Sequence, residues 1–386
     1  MSITAPQGFE AAGVHGGLKA DGALDFALVA TTDRAPAAAA ATFTSSRFPA
    51  APVVLSKHHL AQSRGRAAAV LLNSGNANAG TGTQGREDAA YLAAAVAGPL
   101  GLSTHEVLVC STGLIGDRLP IDAMGRRVPD LIDALSGDGS TAARAIMTTD
   151  TVAKETVVDG GTFKVGGMAK GAAMLAPSMA TMLAVLTTDV AIEPWRLQPL
   201  LGAAVAESFN RLSVDGCQST NDTVIVLAGG AAGTAEGDRV GAALADACQH
   251  LASQMAGDAE GATKVVRIIV TGARNDAEAD RAARQIAESA LCKCSWYGKD
   301  AYWGRLAAEL GVAGVALEPM YLSISYGDVE VCRNGVNHGH DPVALAAYME
   351  GRDIEITCDL GLGRGSGWVL TNDLTHGYVD ENMGTS

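Results

Sequence analysis

The stretch "GAAMLAPSMATMLAVLTTD", residues 171–189, carries eighteen uncharged residues ahead of Asp189. Its length approaches the roughly 20 apolar residues of a membrane-spanning helix. A proline and two hydroxyl residues lie near its centre, however, and Lys170 and Asp189 bound it closely. The run "TMLAVLTTD" (181–189) is typical of a strand that enters a hydrophobic core. We therefore predict a buried strand rather than a membrane span, with the hydroxyl of Thr181 at its start.

The composition places limits on the class of protein. A chain of 386 residues suggests two or three domains, and 48% hydrophobic residues with 18% charged residues can bury a large core. The net charge of −14 argues against nucleic acid as a partner, because such partners require basic patches. The start "MSITAPQGFEAAG" lacks the basic and apolar regions of a signal peptide. We expect a cytoplasmic protein without a membrane or nucleic-acid partner.

Strand-like and helix-like segments alternate along the chain, which predicts an α/β fold. The segments "DFALVAT" (25–31) and "APVVLSK" (51–57) are predicted as strands, and "ETVVDGGTFKVGGMAKG" (155–171) as a hairpin. A helix is expected in "EDAAYLAAAVAGPLG" (87–101), ended by its Gly-Pro pair. Another is expected in "LPIDAMGRRVPDLIDALSG" (119–137), with a break at Pro129.

The predicted domain boundary lies near the strand "VVRIIVTGA" (265–273), which opens a second α/β series. We therefore divide the chain into a main α/β domain over residues 1–270 and a smaller one over 271–386. The boundary is soft, because no linker rich in proline or serine separates the two parts.

Familiar catalytic and metal-binding motifs are missing. "GLGRGSG" (361–367) lacks the Lys-Ser/Thr of a phosphate-binding loop and is interpreted as a turn. The pair His338 and His340 is interpreted as part of a solvated loop, and no hydrolase motif accompanies it. Cys292 and Cys294 have no second pair nearby, so a zinc site is not expected and the seven cysteines are interpreted as reduced thiols. We predict neither metal nor cofactor.

Polar loops without histidine follow several of the apolar strands. They include "LNSGNANAGTG" (72–82), "CSTGLIG" (110–116), "MTTDT" (147–151) and "SVDGCQSTND" (213–222). Loops at strand ends commonly gather into a site on a rigid scaffold. Each loop taken alone is also typical of an ordinary turn, because turns favour Asn, Asp, Gly and Ser.

Taken together, the ordered motifs resemble the self-cleaving ornithine acetyltransferase family, also called glutamate N-acetyltransferase. The resemblance spans nearly the whole chain. Besides the opening stretch it includes "TAPQGFEAAGVHGGLKADG", "VLLNSGNANAGTG", "STGLIG", "AIMTTDT", "SFNRLSVDG", "STNDTV", "EGATK", "WGR" and "TNDLTHGYV". It implies an α/β (α+β) fold of layered sheets flanked by helices, of the N-terminal-nucleophile-like type, with a smaller C-terminal domain whose tail returns to the active site.

The resemblance implies that the chain cuts itself between Ala180 and Thr181, giving fragments 1–180 and 181–386. The Thr181 hydroxyl would attack the preceding carbonyl, and water would then release the ester. A threonine hydroxyl is a weak nucleophile and needs a base. After the cut Thr181 carries its own α-amine, whose pKa near about 8 suits proton transfer at neutral pH. No catalytic histidine is then required.

The matching positions imply the other roles. Thr112 and Gly113 would form the oxyanion hole, through a hydroxyl and a backbone N–H. The positions implied to contact substrate are Thr148, Lys170, Thr181, Glu260, Asn382 and Ser386. Lys170 can meet a carboxylate, and Glu260 can meet the side-chain amine of ornithine. Without the resemblance, Lys170 would be interpreted as a charge flanking an apolar run, and Glu260 as part of a solvated acidic turn.

The implied reaction is ping-pong. N2-acetyl-L-ornithine acetylates Thr181 and ornithine leaves; L-glutamate then takes the acetyl group and becomes N-acetylglutamate, within the acetyl cycle of arginine biosynthesis. The implied partners are these small molecules and the α and β fragments of the same chain, paired as an α2β2 heterotetramer.

The chain departs from the family pattern at Cys217-Gln218 and at Lys299 to Tyr302, where "KDAYWGR" replaces the usual "ADPNWGR". It also departs at "SALCKC" (289–294), which replaces "SPLVKT", and at the C-terminal end "ENMGTS", which is about one residue shorter than the family pattern. The departures leave an alternative open: a self-cleaving paralogue in a specialised pathway, with another acyl donor or amine acceptor, or acting as an amidase. A binding protein that has lost its chemistry is a third possibility. The cleavage and oxyanion motifs are intact, which favours acyl-threonine chemistry.

Overall fold

The computed structural model describes residues 2–174 and 182–384. These residues form two compact units. The first unit comprises the described residues up to Asn210 together with Cys217–Met255, and the second comprises Arg211–Gly216 and Ala256–Gly384. No helix of the described residues is both long and apolar enough to cross a membrane.

The first unit contains two sheets and the helices that cover them. The strands are β1 (Phe9–Val14), β2 (Phe26–Thr31), β3 (Ala37–Phe43), β4 (Arg66–Ala67), β5 (Ala69–Asn73), β6 (Val107–Ser111), β7 (Lys154–Asp159), β8 (Lys164–Lys170), β9 (Leu183–Thr188) and β10 (Thr223–Ala228). The helices are α1 (Ala51–Gln62), α2 (Gly82–Leu100), α3 (Ile121–Asp133), α4 (Ser140–Ala145), α5 (Pro194–Ala206) and α6 (Gly237–Gly257), whose last turn enters the second unit.

The strand order shows how these elements are layered. One sheet runs β1-β2-β5-β6, and the other runs β4-β3-β10-β9-β8-β7. Helices α2 and α3 cover the outer face of the first sheet, and α5 lies against β3 of the second sheet. Helix α6 meets β7 and β8 of the second sheet. The predicted α/β class, with layered sheets flanked by helices, is confirmed.

Alternating side chains hold the two sheets together. In β2, Ala27 and Val29 pack into the core between the sheets, whereas Phe26 and Leu28 pack under the helices. Successive side chains of a strand point to opposite faces of the sheet. Every second residue of β9 and of β10 therefore also packs into the core between the sheets. Strand β9 is buried along its whole length, so the prediction of a buried strand in the opening stretch is confirmed over Leu183–Thr188.

The predicted strand at 51–57 is wrong, because these residues begin helix α1. Pro52 occupies the first helical turn, where its missing N–H costs nothing. Val53, Ser56 and His59 recur at helical spacing and are buried. The Ser56 hydroxyl donates to the Val109 carbonyl at 2.7 Å, so this face of the helix is tied to β6.

The predicted helix end at Gly98-Pro99 and the predicted break at Pro129 are also wrong. Helix α2 continues through Pro99 to Leu100, and Gly101, whose φ of 69° allows the left-handed conformation, caps its C-terminus. Helix α3 continues through Pro129, which removes one backbone hydrogen bond. The buried side chains of Val128 and Leu131 hold this part of α3 against the core, and tertiary packing outweighs that loss.

The second unit is built on one mixed sheet. Its strands are β11 (Val265–Ala273), β12 (Ser323–Tyr326), β13 (Val329–Arg333), β14 (Val336–Asn337), β15 (Asp353–Asp359) and β16 (Gly365–Asn372), in the order β14-β13-β12-β15-β11-β16. Its helices are α7 (Asp276–Glu288), α8 (Ala290–Tyr297), α9 (Trp303–Val312), α10 (Pro342–Glu350) and α11 (His376–Glu381).

Along the described chain as a whole, short 3₁₀ turns occur at Thr104–Glu106, Phe209–Arg211 and Pro319–Tyr321.

Strand β11 lies inside the second unit, between β15 and β16. The unit therefore begins at Ala256, ahead of the boundary at 270/271 expected from the sequence. The short segment Arg211–Gly216 joins the same unit, and the Arg211 guanidinium contacts both Asp280 and the Trp368 carbonyl. Contacts between residues so far apart in the sequence cannot be predicted from local composition.

Candidate active site

Two parallel strands of the first unit end side by side in polar residues. Asn73 closes β5 and Ser111 closes β6, and the two are direct neighbours in the sheet. The Ser111 hydroxyl donates to the Asn73 side-chain oxygen at 2.6 Å, and the Asn73 amide donates to the Asn76 carbonyl at 2.8 Å. The backbone that follows β6 is held as well, because the Thr112 N–H donates to the Asn73 carbonyl at 3.0 Å.

Gly113 adopts a backbone conformation that only glycine accommodates easily. Its φ is 128°, and an added Cβ would lie 2.2 Å from the Gly75 carbonyl carbon and 2.4 Å from the Asn76 nitrogen. Within the described residues the Gly113 N–H donates no hydrogen bond. The turn at 112–113 therefore presents an available donor on a backbone that its neighbours hold tightly.

Lys170, the last residue of β8, reaches this turn. Its Nζ lies 3.4 Å from the Thr112 hydroxyl oxygen, and both side chains are buried. An ammonium group can only donate, so the Thr112 oxygen is the acceptor in this pair. The hydroxyl hydrogen of Thr112 is then directed away from Lys170 and remains available as a second donor at the turn.

Asp150 is the centre of a buried charge cluster beside Lys170. Its carboxylate accepts from Lys154 Nζ at 2.6 Å, from the Gly171 N–H at 2.7 Å and from the Thr148 N–H at 3.0 Å. Lys170 Nζ lies 3.9 Å from the same carboxylate. Asp150 and Lys154 have no exposed side-chain surface. One carboxylate therefore sets the positions of Thr148, Lys170 and the chain that leaves β8.

The neighbouring ammonium groups and hydrogen bonds determine the charge state of Asp150. Burial by itself raises the pKa of a carboxyl group, because it removes water from the charged form. At Asp150 the positive charges of Lys170 and Lys154 and the hydrogen bonds outweigh burial and lower the pKa to about 2. Asp150 is thus ionised at neutral pH and stabilises the two buried ammonium groups.

The segment Ser219–Asp222 joins the turn to the start of β9. The Asn221 side-chain amide donates to the Ser111 carbonyl at 2.8 Å and to the Ala77 carbonyl at 2.6 Å. Asp222 accepts from the Met182 N–H at 3.0 Å. The chain that follows position 181 is thereby tied, through two consecutive residues, to the turn that carries Thr112 and Gly113.

The structure therefore brings together four predicted site residues of the first unit: Thr112, Gly113, Thr148 and Lys170. Thr148 is half-buried, and its N–H is held by the carboxylate that faces Lys170. Ala180, Thr181 and Ser386 lie outside the described residues, so the structure is silent on their positions.

Glu260 and Asn382, the other two predicted site residues, meet in the second unit. Glu260 accepts from the Asn382 amide at 2.7 Å and is 8% exposed. Glu260 also lines a cavity of about 190 Å³. The lining residues are Val214, Asp215, Glu260, Glu288, Ala290, Lys293, Asn372, Asp373, Leu374 and Tyr378. The carboxylates outnumber the cations in this lining, which suits a ligand that carries a positive charge.

Lys293 is the cation of this cavity, and it is already engaged. Its Nζ donates to the Thr371 hydroxyl at 2.9 Å and to the Asn372 carbonyl. Burial lowers the pKa of Lys293 to about 8, against the opposing effect of Asp215, Asp373 and Glu288. Because four carboxylates in the lining face this single ammonium group, the acidic character of the cavity prevails.

The departures at Cys217-Gln218 and at Lys299 to Tyr302 lie mostly at exposed positions. Cys217 and Gln218 are exposed, and Tyr302 is 56% exposed. Lys299 pairs with Glu350 on the surface of the second unit. None of these residues lines the cavity beside Glu260, whereas Ala290 of the departure "SALCKC" does.

Sequence reasoning did not single out four of the organising residues: Asn73, Asp150, Asn221 and Asp222. Each stands inside a quoted motif, at or near the end of a strand or a helix. The signal that could have identified them is their side-chain chemistry, because a carboxylate or amide group at such a position can hydrogen-bond several backbone groups at once. Among residues 2–174 and 182–384, no group of three or more His, Cys, Asp or Glu side chains is placed to hold a metal ion.

Comparison with known proteins agrees with the motif pattern. The ArgJ family model matches residues 10–384. The "Arginine biosynthesis bifunctional protein ArgJ" of Mycolicibacterium paratuberculosis is 48% identical over all of this chain and 96% of its own length. The protein of that name from Thermobifida fusca is 46% identical over the full length of both chains.

Among solved structures, the ornithine acetyltransferase of Mycobacterium tuberculosis, crystallised with ornithine, is 45% identical. That match covers 46% of this chain and 94% of the other, with a TM-score of 0.41. The family match and the full-length identities together decide the assignment: this chain belongs to the ArgJ family.

Proposed function

We propose that this ArgJ-family enzyme is a self-cleaving acyltransferase that moves an acetyl group from N2-acetyl-L-ornithine to L-glutamate. The observation that carries the proposal is the family match over residues 10–384, with close to half of all positions identical to relatives named for arginine biosynthesis. The arrangement around Thr112, Gly113, Asp150 and Lys170 supports it, because it offers aligned donors on a rigid backbone.

The chemistry begins with the cut between Ala180 and Thr181. The Thr181 hydroxyl attacks the Ala180 carbonyl, and water then hydrolyses the ester, which frees the α-amine of Thr181. In each later turnover that amine takes the hydroxyl proton as Thr181 attacks the acetyl group, and it returns the proton to the departing ornithine. Glutamate attacks the acetyl-Thr181 ester in the second half-reaction.

The oxyanion hole stabilises the tetrahedral intermediates of both half-reactions. The Gly113 N–H and the Thr112 hydroxyl donate to the developing oxyanion, and the nearby Lys170 ammonium adds a favourable charge. Such donors lower the barrier most when they do not have to reorganise. The hydrogen bonds of Asn73 and Asn221 to this region support a fixed geometry.

We also propose that fragments 1–180 and 181–386 remain associated after the cut. Strand β9 belongs to the second fragment and pairs along its whole length with β8 of the first. Strand β10, also in the second fragment, pairs with β3 of the first. Separation would expose the strand edges and the core between the sheets. The α2β2 assembly implied by the resemblance would be tested by native mass spectrometry.

The proposed function is tested with the wild type and Thr181→Ala. We expect two bands on a denaturing gel for the wild type and one for the variant. The purified wild type should convert N2-acetylornithine and glutamate to ornithine and N-acetylglutamate, and the variant should not. Mass spectrometry after addition of N2-acetylornithine alone should show one acetyl group on the fragment 181–386. Hydrolysis without transfer to glutamate would contradict the proposal.

Replacing Glu260 with glutamine should weaken binding of the donor and leave self-cleavage intact. We propose that Glu260 binds the side-chain ammonium of ornithine in the acidic cavity. A hydrogen bond between charged groups contributes about 1.5–3 kcal/mol, so KM for N2-acetylornithine should rise about tenfold or more. Steady-state kinetics measures the change, with the exposed Glu318→Gln as control. An unchanged KM in Glu260→Gln would remove this role.

A further inference from the structure

Asp222 is a buried carboxyl group, and one of its oxygens accepts no well-formed hydrogen bond from the described residues, although the Ser219 hydroxyl lies close enough to stabilise its charged form. It immediately precedes β10 and has no exposed surface. The Met182 N–H donates to its Oδ1 at 3.0 Å. Its Oδ2 is also buried and accepts no hydrogen bond from residues 2–174 or 182–384. A buried carboxylate oxygen without a donor is costly, so this oxygen requires either a partner or a proton.

The position of Asp222 is fixed from three sides. Strands β9 and β10 are parallel, and the register that pairs Thr223 with Leu183 places Asp222 beside Met182. The Thr223 N–H donates to the Met182 carbonyl at 3.2 Å, and the Thr44 N–H donates to the Asp222 carbonyl at 2.9 Å. Met182 follows Thr181 by a single peptide bond. The carboxyl is therefore held next to Met182, the second residue after the proposed cut.

The surroundings of Asp222 favour a bound proton. Burial raises its pKa well above the ordinary range of a carboxyl group. The Met182 hydrogen bond, the charge of Lys170 and the nearby Ser219 hydroxyl oppose this effect without cancelling it. A protonated carboxyl group has an O–H donor on one oxygen and an acceptor on the other. It can therefore give and take a proton in a single step.

We propose that Asp222 is a catalytic residue of the self-cleavage step and relays a proton from the Thr181 hydroxyl to the Thr181 nitrogen. The inference rests on the proposed function. The Thr181 oxygen forms a bond to the Ala180 carbonyl carbon, and the bond from that carbon to the Thr181 nitrogen breaks. One oxygen of Asp222 accepts the hydroxyl proton while the other releases its proton to the nitrogen. Asp222 thus ends the step as it began, and water enters only when the ester is hydrolysed.

A purely structural role for Asp222 makes a different prediction. The side-chain oxygen of asparagine would still accept from the Met182 N–H, so Asp222→Asn preserves that contact. Asparagine cannot relay a proton, however. Proton transfer by a positioned side chain typically contributes about 10²–10⁴ in rate. A large loss of cleavage in a folded Asp222→Asn protein therefore separates the relay from a structural contact.

The test follows cleavage over time in protein made by cell-free translation. Wild type, Thr181→Ala, Asp222→Asn and Asp189→Asn are compared on denaturing gels. Asp189 is a matched control: a buried carboxylate that follows the other end of β9 and accepts from the Gln7 and Lys164 N–H groups. We expect wild type and Asp189→Asn to cleave alike, and Asp222→Asn to cleave at least about 100-fold more slowly. Cleavage of Asp222→Asn at the wild-type rate would overturn the inference.

Folding and the identity of the slow step are checked separately. Uncleaved Asp222→Asn should melt within a few degrees of uncleaved Thr181→Ala. Hydroxylamine breaks esters, so it should not release fragments from Asp222→Asn if the ester never forms; release would overturn the inference. If Asp222→Asn does not fold, Asp222→Glu and Asp222→Gln decide, because only the carboxyl variant should cleave. Equal cleavage of that pair would also overturn the relay.

These outcomes separate the relay from the function on which it rests. A wild-type chain that never cleaves would remove the proposed function, whatever Asp222 does. Cleavage of the wild type, with Thr181→Ala intact and Asp222→Asn normal, would remove only the relay.

Discussion

Replacing Gly113 with alanine is expected to lower the rate of acetyl transfer by about 10²–10³-fold, the usual effect of losing one oxyanion-hole donor. The added methyl group would lie 2.2 Å from the Gly75 carbonyl carbon, which is backbone and cannot rotate away. The φ of 128° is also unfavourable for alanine. The turn must therefore shift, and the Gly113 N–H shifts with it.

The measurement is kcat for transfer between N2-acetylornithine and glutamate, with the extent of self-cleavage read from gels of the same preparation. Gly202→Ala is the matched control. Gly202 lies in helix α5, is followed by alanine, and has no atom outside its own helix within 4 Å of an added Cβ. That variant should keep its activity and gain up to about 1 kcal/mol of stability from helix propensity. Wild-type kcat in Gly113→Ala would show that the turn does not stabilise the oxyanion.

The second large effect concerns folding stability: Asp150→Asn should lower the free energy of unfolding by about 3–5 kcal/mol, the range for breaking a buried ion pair. Asp150 compensates the ammonium groups of Lys154 and Lys170, which are both buried. Asparagine removes the negative charge that faces these two ammonium groups. Urea unfolding measures the loss, and the exposed Asp133→Asn should stay within about 0.5 kcal/mol of wild type.

The pH dependence of this loss has a definite sign. The pKa of Asp150 is lowered in the folded state, from the ordinary value of 3.8 to about 2. Its stabilising contribution is therefore complete above pH ~4 and disappears as pH falls toward 2. A shift of about 2 units corresponds to roughly 2.5 kcal/mol. The difference in unfolding free energy between wild type and Asp150→Asn should shrink by about that amount between pH 5 and pH 2; a constant difference would contradict the assignment.

Local sequence patterns correctly predicted those strands and turns in which the spacing of apolar side chains and the residues of the turn indicate the same structure. The Asp159-Gly160-Gly161 turn of the hairpin between β7 and β8 is one example, and the apolar run of β9 is another. The resemblance of the ordered motifs also led to Thr112 and Gly113 as site residues, whose roles stay predictions. In each case the chemistry depends on neighbouring residues in the chain, so a short segment carries the information.

Other elements depend on partners that are distant in sequence. The alanines of β3 (Ala37–Phe43) favour helix by intrinsic propensity, yet they form a strand between β4 and β10. The segment at 51–57 has strand-like valines, yet it is helical because one face packs on β6. Propensity differences are below about 1 kcal/mol per residue, and burial in the core exceeds them.

The sequence by itself determined the α/β class and the family, and it predicted a site chemistry that needs no metal-binding or histidine-based hydrolase motif. Only the tertiary structure decided that Asp150 holds Thr148 beside Lys170 and that Asp222 lies against Met182. The reason is physical. A motif records which groups are present, but the charge state and hydrogen bonds of a buried group depend on the strands that surround it. Those strands meet only after long stretches of chain have folded between them.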